Sequence, residues 1–230
     1  MKILSFGAGM QSTALALMSC ENVDAERKGH ERPYPLVPVY DLVVFCDLGF
    51  EPPWVMQQAE FVHRACDTAG IRYEMLDAPL HRDLMQNFGR RRTVSIPWWT
   101  LRDDGHKSRM PRNCTLDYKV ERISKFVRWE VLGYKKGQRL RDEDKKAHEM
   151  HMGFSFEEKQ RCKDSPNPMF VNRFPLVDME LTRADNYAYI LDVWGLDTKA
   201  SACCFCRSTE TISSRTSRNT SRRLTRSCWR

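Results

Sequence analysis

The chain has 230 residues, of which 41% are hydrophobic and 10% aromatic, so it can bury a core and is not disordered throughout. The net charge is +7, but residues 207–230 hold seven Arg and one Glu, which leaves 30 basic and 29 acidic residues before them and excludes a basic domain body. No signal-peptide segment and no apolar run of membrane-spanning length are present, so we expect a cytoplasmic protein without a membrane partner.

The N-terminal part of the sequence predicts alternating strands and helices. Lys2–Phe6 is a β-prone run, and residues 12–20 are predicted to form a helix with Ser12 as its N-cap. The next predicted elements are a buried parallel strand, a helix that Gly70 ends and a third strand, at residues 41–46, 54–69 and 71–76. This alternation predicts an α/β fold, with a parallel sheet covered by helices on both faces and ligands at the carboxyl ends of the strands.

The middle of the sequence is less regular. Residues 89–114 are rich in Arg, Pro, Gly and Trp, which favours a long functional loop over a regular element. Residues 117–132 are predicted to form a helix. The charged run at 135–148 is predicted to be a solvated helix or loop, and we assign it no function.

The last predicted helix has capping signals at both ends. Thr182 is suited to be its N-cap with Asp185 at the third helical position, and Gly195 is suited to end it. The helix leads into a cysteine-rich stretch. We therefore predict one domain at residues 1–206, followed by a separate segment at 207–230.

The stretch SFGAGMQS, residues 5–12, joins the first strand to the first helix. Gly7 and Gly9 allow close approach of the backbone, and successive N–H groups at a helix start form an anion cradle to which Ser12 adds a hydroxyl. The stretch is neither the dinucleotide fingerprint nor the lysine-bearing phosphate loop, because no Lys precedes Ser12. Taken alone, it is compatible with a phosphate site or with a plain tight turn.

This stretch resembles the S-G-G-x-D-S loop of the PP-loop superfamily, which grips nucleotide phosphates at the same strand-to-helix turn. The residues that occupy the motif are Gly7, Ala8, Gly9, Met10, Gln11 and Ser12. The resemblance makes this loop, with Ser5 before it, a candidate phosphate site. Gln11 departs from the pattern, because many members have Asp there and use it in metal-linked ATP chemistry.

A second stretch, FCDLGFEPP, lies at the end of the second predicted strand. It resembles the D-T-G-x-E-x-P segment of the phosphoadenosine phosphosulfate (PAPS) reductase family, with Asp47, Gly49, Glu51 and Pro52 matching and Leu48 in place of Thr. The two carboxylates are suited to bind a ribose or Mg²⁺, or to cap the following helix.

A third stretch, RNCTLDYK, resembles the family's R-x-C-T-x-x-x-K. Arg112 and Lys119 are suited to neutralise phosphate or sulfate, Arg by a bidentate fork and Lys as a point charge, and the resemblance adds Thr115 to the candidate site. Without that context, two basic residues at this spacing are typical of surface charge.

A fourth stretch, GFSFEEKQR at residues 153–161, is similar to the family's G-x-S-x-x-E-x-x-R. Arg161 is a candidate anion ligand, and so is Arg173 in the NRFPL segment that follows. The alternative for both is a salt bridge to a nearby carboxylate of Glu157, Glu158 or Asp178.

A fifth stretch, SACCFC at residues 201–206, matches the family's S-A-C-x-x-C. Two cysteines at this spacing can hold a metal, carry redox chemistry or lie in a hydrophobic turn. Cys203 and Cys206 are candidate nucleophiles for attack on a bound sulfonyl group. With Cys114 they are also candidate ligands of zinc or of an iron–sulfur cluster.

The five stretches follow the family's order and span nearly all of the predicted domain. The resemblance implies a PP-loop, Rossmann-like fold of the HUP type that binds ATP or PAPS, with Mg²⁺ as a further candidate ligand. One hypothesis is a sulfonucleotide reductase of sulfur metabolism, an oxidoreductase with a thioredoxin-like reductant. Another is an ATP pyrophosphatase that adenylates an acceptor, as in sulfur modification of nucleic acids. A third is a non-catalytic module that binds a nucleotide or a nucleic acid.

Residues 207–230 differ in composition from the domain, because 18 of these 24 residues are Arg, Ser or Thr. With little to bury, this tail is predicted to be disordered. The family's nucleophile segment, E-C-G-x-H, is absent, and one set of codons compatible with residues 207–223 encodes an amphipathic peptide in another frame. We hypothesise a frameshift near codon 207; the alternative is a natural basic tail that contacts nucleic acid.

Overall fold

The computed structural model describes residues 1–87, 99–101, 103–109 and 113–201 of the chain. The strands of its main sheet are β1 (Lys2–Phe6), β2 (Leu42–Asp47), β3 (Arg72–Asp77), β6 (His148–Met152) and β7 (Phe170–Arg173). They form a five-stranded, fully parallel sheet in the order β3-β2-β1-β6-β7. A separate antiparallel pair consists of β4 (Trp99–Leu101) and β5 (Lys107–Arg109).

The helices of the described residues connect these strands. They are α1 (Met10–Arg27), α2 (Pro53–Ala69), α3 (Leu80–Asn87), α4 (Glu121–Phe126), α5 (Pro175–Asp178) and α6 (Arg183–Trp194). Wide π-type turns at Leu116–Val120 and Val127–Val131 extend α4 at both ends, and short 3-10 turns lie at Asp142–Asp144 and Phe156–Arg161. No helix in these parts of the chain is long and apolar enough to cross a membrane.

The central strands β1, β2 and β6 are largely buried on both faces, as is typical of parallel sheets, whereas the edge strands β3 and β7 are only partly buried. Successive residues of a strand point to opposite faces, so Leu4 packs with α1, α2 and α6 on one side, while Ile3 packs with α3 and α4 on the other. Phe45 and Val44 divide in the same way on β2. The predicted fold class, an α/β fold with a parallel sheet and helices on both faces, is confirmed.

Several predicted elements are also present with their predicted ends. Helix α2 ends at Gly70, whose φ of 73° is the left-handed conformation that glycine adopts easily. Thr182 caps α6: its side chain accepts a hydrogen bond from the Asp185 N–H, and the Asp185 side chain accepts one from the Thr182 N–H. Gly195 ends this helix, also in the left-handed conformation.

Other predictions were wrong or incomplete. Helix α1 begins at Met10 with Gly9 as N-cap, so Ser12 is not its cap. The sequence did not predict β6, which takes up the end of the charged run at 135–148, or β7. The region 89–114 contains β4 and β5, so it is not a loop throughout. The tail at 207–230 lies outside the described residues, and its predicted disorder and the frameshift remain predictions.

Candidate functional site

The loop at residues 7–12, called here the glycine loop, connects β1 at the middle of the sheet to α1. Ala8 is buried and has a φ of 50°, a left-handed conformation that costs about 1 kcal/mol for a residue with a Cβ atom. Gly9 then returns to an extended conformation as the N-cap of an 18-residue helix. This reversal places the N–H groups of the first helical turn at the carboxyl edge of the sheet, where the helix dipole favours an anion.

Ser12 holds the glycine loop from inside. Its Oγ accepts a hydrogen bond from the Gly7 N–H at 3.2 Å and donates one to the Gly9 carbonyl at 3.1 Å. The hydroxyl therefore fixes the shape of the loop instead of capping the helix. Gly9 can serve as N-cap because glycine is tolerated there and its extended backbone lets the helix begin at Met10, two residues before Ser12.

Two other segments contact the glycine loop closely. A Cβ atom built on Gly153 would lie 2.5 Å from the Ser12 nitrogen, so only glycine fits between the end of β6 and the start of α1. A Cβ atom on Gly9 would lie 2.7 Å from Ser201 Oγ. The loop is thus enclosed by the residues after β6 on one side and by residues 199–201 on another.

The fourth predicted motif reaches the glycine loop through Glu158. Gln11 Nε2 donates a hydrogen bond to Glu158 Oε2 at 3.0 Å, and Arg161 forms an ion pair with the same carboxylate. The Arg161 guanidinium also lies over the Phe154 ring, 4.4 Å from its centroid. Arg161 is therefore near the loop, but its charge is paired with that of Glu158, in agreement with the salt-bridge alternative. Arg173 pairs with Glu149, at 3.2 Å.

The second and third predicted motifs meet at the carboxyl end of β2. Lys119 Nζ lies 4.0 Å from Glu51 Oε1, and the Glu51 side chain is only 3% exposed. Burial raises the pKa of Glu51, Lys119 lowers it and Asp47 raises it again. Asp47 Oδ1 accepts a hydrogen bond from the Gly49 N–H at 2.8 Å, which shapes the turn that follows the strand.

The remaining predicted site residues are distributed differently. Ser5 is half-buried in β1, and Thr115 is exposed at the start of the helical segment that carries Lys119. Cys114 packs partly against the core between the sheet and α4. Arg112, Cys203 and Cys206 lie outside the described residues, so their predicted roles remain predictions.

Three of the described cysteines have a shifted thiol pKa, and in each of them the pKa is raised, whereas a nucleophilic thiol needs a lowered one. Burial raises the pKa of Cys46 to about 11, and burial likewise raises the pKa of Cys162. A hydrogen bond with Cys20, followed by burial, raises the pKa of Cys66. Within the described ranges, no group of three His, Cys, Asp or Glu residues is arranged to hold a metal.

Sequence reasoning missed one residue that contacts the site, Gln58. It is buried on α2 and bonds to the carbonyl of Ala8 in the glycine loop. A glutamine within an amphipathic helix carries no signal of its own, because its partners are distant in the sequence. Gly153 is the first residue of the fourth motif, GFSFEEKQR, and the presence of glycine at that position was a signal that the backbone is closely packed there.

Comparison with known proteins gives little further guidance. No protein-family model matches the chain, and no curated protein matches it significantly. Among solved structures it is similar to the U34-tRNA thiolase NcsA from Methanococcus maripaludis with its [4Fe-4S] cluster, at 13% identity and a TM-score of 0.41. The match covers 96% of this chain and 65% of that protein, so this chain spans less than two thirds of its length.

Proposed function

We propose that this chain is an enzyme of the PP-loop type that binds ATP in the glycine loop, releases pyrophosphate and transfers adenylate to an acceptor. The observation that carries the proposal is the loop itself. Ala8 in a left-handed conformation and Gly9 as N-cap present the first turn of α1 at the edge of the sheet where ligands of parallel sheets bind. Backbone N–H groups at a helix start bind phosphate without a lysine.

The charged residues beside the loop suit a nucleotide with a metal ion. Glu51 Oε1 is buried and, within the described part of the chain, makes no hydrogen bond, although Lys119 is near. Mg²⁺ commonly binds through one or two carboxylates together with substrate phosphates, so Asp47 and Glu51 would hold it here. When bound, the ion would neutralise phosphate charge. Lys119, whose Nζ lies 4.0 Å from Glu51 Oε1, would contribute a positive charge beside it.

The proposed reaction requires the protein to position ATP and the acceptor, and it does not require a nucleophilic side chain of the protein. An acceptor oxygen attacks the α-phosphorus and forms a new P–O bond. The bond from that phosphorus to the bridging oxygen breaks, pyrophosphate leaves with the electron pair, and the acceptor's proton passes to solvent. The glycine loop would bind the pyrophosphate part, because its N–H groups stabilise the charge that develops on the leaving group.

Sulfonucleotide reduction would need a thiolate in the site, and its candidate nucleophiles, Cys203 and Cys206, lie outside the described residues. Cys46, Cys66 and Cys162 do not supply that thiolate, because the pKa of each is raised. In the alternative in which residues 207–230 are a natural tail, their net charge of +6 out of +7 favours a nucleic acid as the acceptor.

Calorimetric titration of the purified chain with Mg-ATP and with PAPS tests the proposal, beside Gly9→Val and a pyrophosphate-release assay. We expect ATP to bind and the variant to lose binding, since the added side chain displaces Ser201 and alters the loop. Pyrophosphate release that depends on Gly9 would support adenylate transfer. Preferential binding of PAPS would instead support the reductase, and binding of neither ligand would contradict a nucleotide site.

A further inference from the structure

Gln58 joins the glycine loop to residues 199–201. It lies on the buried face of α2 and is only 2% exposed. Its Nε2 donates hydrogen bonds to the Ala8 carbonyl at 2.6 Å and to the Lys199 carbonyl at 3.2 Å, while its Oε1 accepts one from the Lys199 N–H at 2.6 Å. One buried amide thus satisfies backbone groups of both segments at once.

Two further contacts hold residues 199–201 in place. Trp54 Nε1 lies 3.4 Å from the Ala200 carbonyl and donates to it. Ser201 Oγ occupies the position beside Gly9 that a larger side chain at that residue would need. The segment therefore packs directly on the residues that form the proposed phosphate site. In the sequence, Cys203 follows Ser201 by two residues.

The chemistry of Gln58 indicates a specific role. Its neighbours on the buried face of α2 are apolar, namely Val55, Ala59 and Val62. A buried amide in such surroundings is tolerated only when its donors and acceptor are bonded. One of its partners, Ala8, has the unfavourable left-handed backbone of the loop, so the bond to the Ala8 carbonyl also offsets the cost of that conformation.

We propose that Gln58 is a positioning residue that couples nucleotide binding in the glycine loop to the retention of residues 199–201 against it. The inference rests on the proposed nucleotide site. A ligand that fixes the loop also fixes the Ala8 carbonyl and strengthens the attachment of Lys199 through Gln58. Coupling of this kind is reciprocal, so release of residues 199–201 lowers the affinity of the loop for the nucleotide.

Limited proteolysis of the full-length protein by trypsin tests this coupling, because Lys199 is exposed and both of its backbone polar groups are bonded to Gln58. The rate of cleavage after Lys199 is measured by mass spectrometry without ligand, with Mg-ATP and with inorganic pyrophosphate. Cleavage requires local opening of the segment, so its rate reports the attachment. The variants are Gln58→Leu and Gln58→Glu, with exposed Gln57→Leu as matched control.

In the wild type and in Gln57→Leu, we expect ATP and pyrophosphate to slow the cleavage. In Gln58→Leu, the ligand-free rate should rise about tenfold, which corresponds to ~1.4 kcal/mol, and the ligands should no longer protect. Gln58→Glu keeps the acceptor for the Lys199 N–H but loses the donor to Ala8, so it should keep part of the attachment and lose the protection by ligand. Gln58→Glu also tests the coupling if Gln58→Leu does not fold.

Two results would overturn the inference, and they differ from failure of the proposed function. Cleavage of both Gln58 variants at the wild-type rate, or undiminished protection of them by ATP, would contradict the coupling while calorimetry still shows ATP binding. If calorimetry shows that the wild type binds no ATP, the proposed function fails and the coupling fails with it.

Discussion

Gly153 shows how strongly one residue can be constrained by its contact with the glycine loop. A Cβ atom there would lie 2.5 Å from the Ser12 nitrogen and 2.8 Å from the Gln11 carbonyl carbon, both of which belong to the backbone. We expect Gly153→Ala to lower the free energy of unfolding by about 1–3 kcal/mol, the usual cost of an overpacked site. Urea denaturation measures this change.

Gly7→Ala is the matched control for that substitution. A Cβ atom on Gly7 meets nothing within 4 Å, so the variant should keep the wild-type stability to within ~0.5 kcal/mol. If a phosphate binds against the loop, the same variant should still bind ATP more weakly, because the added methyl occupies the approach of the ligand. Equal destabilisation by both substitutions would contradict the contact between Gly153 and the loop.

The buried carboxylate of Glu51 is expected to lower the free energy of unfolding at neutral pH. Its folded-state pKa is raised, mainly by burial, so the stability it contributes is present below its unfolded pKa and is lost as pH rises through the folded pKa. Glu51→Gln does not titrate and should therefore be more stable than the wild type at pH 7, by ~1.4 kcal/mol for each unit of the shift.

Denaturation at pH 7 and near pH 4 measures the difference, which should shrink at the lower pH. The same variant should bind Mg-ATP more weakly, because it removes a carboxylate that we propose as a metal ligand. A variant with wild-type ATP affinity would contradict that role, and a variant less stable at pH 7 would contradict the cost of burying the carboxylate.

At the scale of elements, the sequence predicted those structures whose signals are local. Helix α6 was predicted with its ends because Thr182, Asp185 and Gly195 form its caps with one another and with the helix itself. Strand β6 was missed, because its sequence HEMHM has the composition of a solvated segment. His148 in this strand is buried, and its Nε2 lies 3.4 Å from Asp144 Oδ1. This contact is recognised only in the folded structure.

The same distinction applies to the candidate site. The glycine loop and the carboxylates after β2 were predicted from short motifs, and the structure brings Glu51 beside Lys119. Gln58 was not predicted, because a polar residue on an amphipathic helix is normally solvated. Its role depends on two backbone segments from distant parts of the chain, Ala8 and Lys199.

The capping box of α6 should make a measurable contribution to stability. We expect Thr182→Ala to lower the free energy of unfolding by about 1 kcal/mol, because it removes the side-chain acceptor for the Asp185 N–H. Asp192→Ala, on the exposed side of the same helix, is the control and should have little effect. Equal effects of the two substitutions in urea denaturation would contradict a role of the cap.

Strand β6 should make the protein sensitive to acid through His151. Burial lowers the pKa of this histidine, Glu149 raises it, and Arg173 and Lys2 lower it. Because the folded pKa is below the unfolded one, the stability it contributes is present above the unfolded pKa, about 6.5, and is lost as pH falls through the folded pKa. His151→Asn should therefore lose less stability than the wild type between pH 7.5 and pH 5.

Urea denaturation at these two pH values measures the effect. His30→Asn, at an exposed position after α1, is the control and should follow the wild type. The same loss of stability in His151→Asn and in the wild type would show that other groups cause the sensitivity to acid.

At the scale of the whole molecule, folding and charge belong to different parts of the chain. Within the described ranges, the buried hydrophobic residues of the core lie between Ile3 and Ile190, whereas residues 207–230 account for six of the seven net positive charges. A chain that ends at residue 206 would have a formal net charge of +1, because 7 − 6 = 1. Its fold and the proposed nucleotide site would contain the same described residues.

We therefore expect the chain of residues 1–206 to unfold within ~0.5 kcal/mol of the full-length protein and to bind ATP equally well. Its affinity for single-stranded DNA and RNA should fall, and so should the salt dependence of binding, by about 0.7 in log–log slope for each phosphate contact that is lost. Fluorescence anisotropy at two salt concentrations measures the affinity and its salt dependence.

The control is the full-length protein with the seven tail Arg replaced by Lys, which should keep most of the affinity, because nonspecific binding depends on charge. Unchanged nucleic-acid binding after truncation would place the acceptor's contacts on the folded domain instead.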